Sequence, residues 1–146
     1  MNDGMLMLEN VTVQAGNFIL SPFSLDIGEG ECVALMGPSG CGKTTLLETI
    51  CGLRDGPVGG RIVLGGMEVT NLSPGARGIG LVPQDIALFP SLTVREQIEF
   101  GPKLHGWEPE EVKERVESLA GDLGLTKLLR RVHEGLSGGE ARRVAL

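Results

Sequence analysis

The octet Gly37-Pro38-Ser39-Gly40-Cys41-Gly42-Lys43-Thr44 constrains this chain more than any other stretch. It fits the pattern GxxxxGK[ST], in which a strand feeds a Gly-rich loop that opens a helix. Each position has a physical task. Glycines reach positive φ and let the backbone approach a ligand closely. Successive N–H groups then form a concave nest for anions, and the following helix aims its positive end at the same point. Lys43 is placed to reach the β- and γ-phosphates of a nucleotide, and the Thr44 hydroxyl to ligate magnesium. The flanks agree with this reading. Residues 31–36, ECVALM, form a short apolar run that reads as a buried parallel strand. Residues 43–51, KTTLLETIC, read as a helix with Gly52 as its C-cap. The loop, continued through Thr45, therefore predicts an α/β fold that binds ATP with Mg2+.

Around the loop the pattern alternates between strand and helix signals. Residues 5–13 read as one strand, and 18–27 as a second that Pro22 assigns to an edge. Two strand-like runs within 61–70 flank Gly65-Gly66, which predicts a hairpin. Residues 78–82, GIGLV, read as another buried strand. Thr93 followed by Glu96 fits a capping box, so a helix is expected from Val94 to about Gly101. Pro109 opens a further helix with Val112, Val116, Leu119, Ala120 and Leu123 on one face. Its other face carries Glu110, Glu111, Lys113, Glu114 and Glu117, and reads as solvated. A last helix begins near Ser137.

Composition excludes several classes. The chain has 146 residues, the size of one domain, and is 41% hydrophobic. No run of about 18 apolar residues occurs, so no membrane-spanning helix is expected. The start carries Asp3 and no basic residue, unlike a signal peptide. A net charge of -6 disfavours a nucleic-acid partner, because phosphate backbones demand Lys and Arg. Three cysteines without a CxxC pair read as reduced thiols rather than a disulfide framework or zinc site.

The motifs beyond the loop choose among nucleotide-binding families. Leu136-Ser137-Gly138-Gly139-Glu140 resembles the LSGGQ signature of ATP-binding-cassette (ABC) transporter ATPases. Val82-Pro83-Gln84-Asp85 resembles their Q-loop, and residues 87–101 resemble the stretch that follows it in importers. The resemblance implies a P-loop core with an N-terminal antiparallel β-subdomain over 1–90. It also implies a helical subdomain over 91–146 that ends in the signature helix and leaves the domain incomplete at its C-terminus. In the same way it implies a phosphate site at Gly37, Pro38, Ser39, Gly40, Cys41, Gly42, Lys43, Thr44 and Thr45, with Lys43 and Gln84 catalytic. Mg2+ would sit on Thr44 and Gln84. The signature would bind the ATP of a partner chain in a homodimer or heterodimer of cassettes. A membrane-spanning permease subunit would dock near Phe89 and Pro90. The implied location is cytoplasmic, on the inner face of the cell membrane, and the implied activity is ATP hydrolysis coupled to solute import.

Three departures from the family pattern carry expectations of their own. No Walker B run ending in Asp-Glu follows the signature, so the 146-residue chain is expected to bind nucleotide and hydrolyse it poorly. His105 and His133 precede the region of the family's switch histidine and are not assigned to catalysis. The family's adenine-stacking aromatic is replaced by Ala15-Gly16, with Phe18 the nearest substitute. The signature ends in Glu140 where Gln is usual, which completes a capping box with Ser137 and puts a carboxylate near the γ-phosphate. A DNA-repair ABC ATPase is disfavoured, since no sustained heptads separate Gln84 from Leu136. A translation-associated ABC protein, normally two cassettes, fits poorly. A GTPase reading fails for want of an NKxD motif. A non-catalytic nucleotide-binding or dimerisation module stays open.

Overall fold

A computed structural model describes residues 5–16, 18–54 and 59–146. Residues 1–4, which include Asp3, lie outside them. The described chain forms two compact units, divided between Leu81 and Val82.

The first unit is built on one antiparallel sheet. Strand β1 (Leu6–Ala15) pairs with β2 (Phe18–Ile27) on one side and β3 (Gly59–Leu64) on the other. β3 turns through Gly65 and Gly66, both at positive φ, into the short β4 (Met67–Glu68). The order is β2-β1-β3-β4, so β2 is an edge, where Pro22 costs no ladder bond. One detail of β1 explains its sequence. Its buried residues are Leu8, Val11 and Val13, which change phase between 8 and 11. The change falls at Asn10, whose φ is 48°, and the register with both neighbours shifts there. This bulge inserts a residue and flips the period-2 pattern onto the same face. Helix α1 (Lys43–Ile50) lays Leu46 and Ile50 on that face, closing a core with Leu8, Val11, Val13, Ile62 and Val69. Each such side chain, fully buried, contributes about 1.5–3 kcal/mol. A four-residue helix, α2 (Pro74–Arg77), follows the sheet.

Two expected strands do not form. Neither 31–36 nor 78–82 joins a ladder among the described residues. Val33 is 47% exposed and Met36 88%. A strand exists only through its neighbour's hydrogen bonds, and an apolar run without a partner stays irregular.

The second unit is helical. Helix α3 (Val94–Leu104) packs on α4 (Pro109–Asp122), and α5 (Gly138–Val144) completes the unit. Val94, Val112, Val116, Ala120, Leu125, Leu128, Leu129 and Val144 form its core. The helix starts follow local chemistry. Thr93 Oγ1 accepts from Glu96 N–H, and Thr93 N–H donates back to the Glu96 carboxylate at 2.7 Å, the expected capping box. Pro109 sits at the first turn of α4. α3 runs on through Pro102 to Leu104, past the expected end near Gly101. So close to the helix end, Pro102 interrupts little of the ladder that remains.

Candidate functional site

The loop between the 31–36 segment and α1 takes its shape from two glycines. Gly40 and Gly42 have φ of 81° and 95°. Gly42 is the N-cap of α1 and offers no side chain, so the first-turn amides have no side-chain cap. Its carbonyl instead accepts from Leu46 N–H at 2.8 Å, fixing the first full turn. A Cβ on Gly42 would lie 2.7 Å from Phe18 Cζ. Only glycine therefore fits, both for φ and for the ring beside it.

Lys43 reaches back across the loop. Its ammonium donates to the carbonyls of Gly37 at 2.9 Å and Pro38 at 2.7 Å. It also lies 3.6 Å from Cys41 Sγ. The cation thus lies on the loop's own carbonyls, in a loop that leads into a helix terminus without a side-chain cap. A Gly-rich loop, a lysine and an uncapped helix start are the parts from which anion sites are built. Thr44 is exposed and Thr45 half-buried. Ser39 and Gly40 are exposed.

In the second unit, Gln84 is exposed in a bend. The signature residues open α5. Ser137 Oγ accepts from Glu140 N–H at 3.3 Å, and Ser137 N–H donates to the Glu140 carboxylate at 2.7 Å. The Ser137 hydroxyl donates to the same oxygen at 2.7 Å. Those bonds turn the Glu140 carboxylate back onto Ser137. They also hold its pKa below the ordinary 4.5, with the Ser137 side chain the larger cause. Ser137, Gly138 and Gly139 stay exposed, while Leu136 anchors on the helical core.

Phe18 and Gly37–Thr45 belong to the first unit, and Gln84 and Leu136–Glu140 to the second. His105 caps the end of α3, and His133 lies in a short turn whose carbonyl accepts from Leu136 N–H at 3.0 Å, a backbone contact that leaves the imidazole without an assigned role. Among the described residues, no group of three or more His, Cys, Asp or Glu gathers to hold a metal ion. The cysteines are free, and Cys51 is buried, which pushes its thiol pKa up.

Two arrangements went unread in the sequence. Gln97 on α3 clamps the loop before it, accepting from Phe89 N–H at 3.1 Å and donating to the Phe89 carbonyl at 2.6 Å. This holds Phe89 against Phe100, ring centres 4.7 Å apart. Arg77 is buried beneath α1. A lone Gln and a lone Arg carry no motif, so nothing in the pattern marked them.

A Gly-rich loop that opens a helix, with a lysine folded across it, is the form of a P-loop, and the signature turn narrows the class further. Residues 20–146 match the family model described as ABC transporter, and the chain belongs to that family. It is 42% identical over 142 residues to the molybdate/tungstate import ATP-binding protein WtpC of Pyrococcus abyssi, covering 97% of this chain and 41% of that one. It is 42% identical over 144 residues to the Fe(3+) ions import ATP-binding protein FbpC of Brucella abortus, covering 98% and 40%. It is 43% identical over 142 residues to the maltose/maltodextrin import ATP-binding protein MalK of Escherichia coli K12, covering 97% and 38%. The chain thus spans about two fifths of the curated relatives it matches. Its fold matches the ATP-binding cassette MJ0796, solved as a post-hydrolysis dimer bound to ADP and Pi. The TM-score is 0.83 at 33% identity, covering 97% of this chain and 67% of that one.

Proposed function

We propose that this chain is the nucleotide-binding part of an ABC importer's ATP-binding subunit. One observation carries the reading: the Lys43 ammonium lies on the carbonyls of a loop shaped by Gly40 and Gly42 that leads into the uncapped N-terminus of α1. ATP would place its phosphates there, against the amides from Gly37 to Thr45. The Thr44 hydroxyl and the Gln84 amide oxygen are hard donors suited to Mg2+, together with phosphate oxygens. Bound there, the ion would neutralise phosphate charge. Lys43 would orient the β- and γ-phosphates, and Gln84 the magnesium or the attacking water. Phe18, already against Gly42, is the ring we assign to the base. The core over 1–90 would hold nucleotide, and 91–146 would carry the signature to a second cassette.

The partner reading rests on the second unit. Phe89 and Phe100 are 48% and 45% exposed although stacked on each other. Beside them lies a hollow of about 410 Å³ lined by Leu92, Glu96, Phe100, Lys103 and Leu104. Exposed apolar patches of this kind mark protein contacts. We assign it to a permease subunit, which puts the chain at the inner membrane face. No helix among the described residues is long and apolar enough to cross a membrane. The relatives' solutes differ among molybdate or tungstate, Fe(3+) and maltose, so the proposal stops at solute import.

A second reading, a non-catalytic nucleotide-binding or dimerisation module, rests on the sequence, where no apolar run ending in Asp-Glu occurs within the 146 residues. Two measurements test them. Purified protein is titrated with Mg-ATP and assayed for phosphate release, and turnover rules out the module. Binding without turnover is what both readings expect of these 146 residues, and capture of a permease subunit through Phe89 and Phe100, lost in Phe100→Ala, then selects the importer. No binding, or binding that Lys43→Ala leaves intact, ends both.

A further inference from the structure

Three polar side chains are buried among the described residues: Thr49, Thr70 and Arg77. They form one network. Arg77 is 5% exposed, yet no carboxylate pairs with it among the described residues. Carbonyls surround it instead. Nη1 donates to Thr49 O and Ile50 O, each at 2.8 Å, in the last turn of α1. Nη2 donates to Thr70 O at 2.8 Å, and Nε to Leu72 O at 2.9 Å. Burial lowers the guanidinium's pKa, but it stays charged.

The network continues in both directions. Thr49 Oγ1 donates to Thr45 O at 2.8 Å, in the phosphate-facing turn. Thr70 Oγ1 accepts from Ile62 N–H at 2.9 Å, in β3. Hydrogen bonds therefore run from the sheet, through Thr70, Arg77 and Thr49, to the start of α1. Gly52 makes room for the guanidinium. Its φ is 75°, and a Cβ there would lie 2.7 Å from Arg77 Nε.

This placement has a mechanical consequence. α1 has only eight residues, about 12 Å of rise, so tilt at one end displaces the other by a comparable amount. A helix this short does not hold itself in water and takes its pose from tertiary contacts. Leu46 and Ile50 supply a non-directional contact, which leaves rotation and tilt loosely set. The planar Arg77 fork supplies the direction, because its bonds fix both the position and the angle of the last turn. A cation at the carbonyl end also complements the helix dipole, whose other end faces the loop.

We propose that Arg77 is a positioning residue for nucleotide binding: it clamps the last turn of α1 to the end of the sheet and so holds the phosphate-facing amides at the first turn in place. The inference rests on the nucleotide-binding reading above. It goes beyond that reading by assigning binding geometry to a residue far from the nest and outside every motif.

The test compares the full protein with Arg77→Lys, which keeps the charge and loses the fork. Affinities for ATP and AMP are measured by titration, and amide hydrogen exchange is followed in α1 and in the β1–β3 ladder. ATP is expected to weaken about tenfold or more, because misplaced donors lose binding steeply, while AMP weakens far less. Exchange is expected to speed up in α1 and stay unchanged in the ladder. A merely structural loss would weaken ATP and AMP by the same factor, and that result overturns the proposal. So does unchanged ATP affinity. If Arg77→Lys does not fold, Gly52→Ala carries the same comparison by pushing on the guanidinium from the other side. If the unaltered protein binds no ATP, the nucleotide reading fails on its own. Unchanged α1 exchange in either variant would then still overturn the clamp, and faster α1 exchange would support it.

Discussion

Lys43 and Glu140 show what one side chain contributes. The Lys43 ammonium sits on the Gly37 and Pro38 carbonyls, within the loop proposed to take the phosphates. Lys43→Ala is expected to weaken ATP binding by about 2 kcal/mol or more, in the range for a charged hydrogen bond, and to lower the thermal midpoint only slightly, since the Gly37 and Pro38 bonds it loses are exposed to water. Titration calorimetry beside a melting curve checks both halves, and an unchanged affinity would sink the assignment. Glu140 makes a prediction in pH. Bonds from Ser137 lower its folded pKa below 4.5, so the stability they lend is fully present above that value. It is lost as pH falls through the lower, folded pKa. Glu96, held by Thr93, behaves in the same way at the start of α3. An NMR titration of the Glu140 carboxyl carbon should show a midpoint below 4.5 that rises in Ser137→Ala. A midpoint that does not respond to Ser137→Ala would break the link. The usual Gln at this position could not titrate, so acid sensitivity at α5 belongs to this sequence in particular. The same bonds hold the Glu140 carboxylate on Ser137, so a phosphate arriving at this turn would meet it unless those bonds open.

Among the elements, helix starts were legible and buried strands were not, for one physical reason. A capping box is complete within four residues, so Thr93/Glu96 and Ser137/Glu140 announce themselves in the sequence. A strand is complete only with its neighbour. The apolar run at 31–36 fixed its composition but not its partner, and it forms no ladder among the described residues. β1 is an intermediate case: its position was legible, while the bulge at Asn10 was not, because a phase change of one residue looks like noise in a short pattern. Packing in the helical unit supports a sharper expectation. Leu125 is 0% exposed and joins the core of Val94, Val116 and Leu129. Leu125→Ala should cost about 2–5 kcal/mol, transfer and cavity terms together, read as a lower urea midpoint at constant slope. Thr93→Ala should cost about 1 kcal/mol through its lost cap. If the cap cost more than the cavity, the ranking of core over caps in this unit would be wrong.

For the whole molecule, the division of labour falls between two units. The P-loop is a property of the first and the signature turn of the second. Both motifs were legible because each is local: a nest and a helix start need only consecutive residues. Arg77 and Gln97 were not, since their partners lie elsewhere in the chain or carry no pattern. One bound nucleotide has a single triphosphate, so if both the loop and the signature turn take phosphate, as proposed, two copies would exchange them. In that proposed assembly each ATP would lie between the P-loop of one copy and the Ser137-Gly138-Gly139 turn of the other. Its γ-phosphate then favours the dimer over separate chains, by as much as it binds the dimer more tightly. The MJ0796 cassette, solved as a dimer with ADP and Pi, supports this reading. A mixing experiment decides it. Lys43→Ala removes the loop's cation, and Gly138→Asp puts a carboxylate at the signature turn. Either variant alone builds dimers whose two sites are both defective. Mixed, they form heterodimers in which one site joins an intact loop to an intact signature. Sedimentation in ATP should show little dimer for each variant alone and a clear dimer for the mixture. If the mixture sediments as the sum of its parts, the chain holds its nucleotide within one copy, and the signature turn has another use.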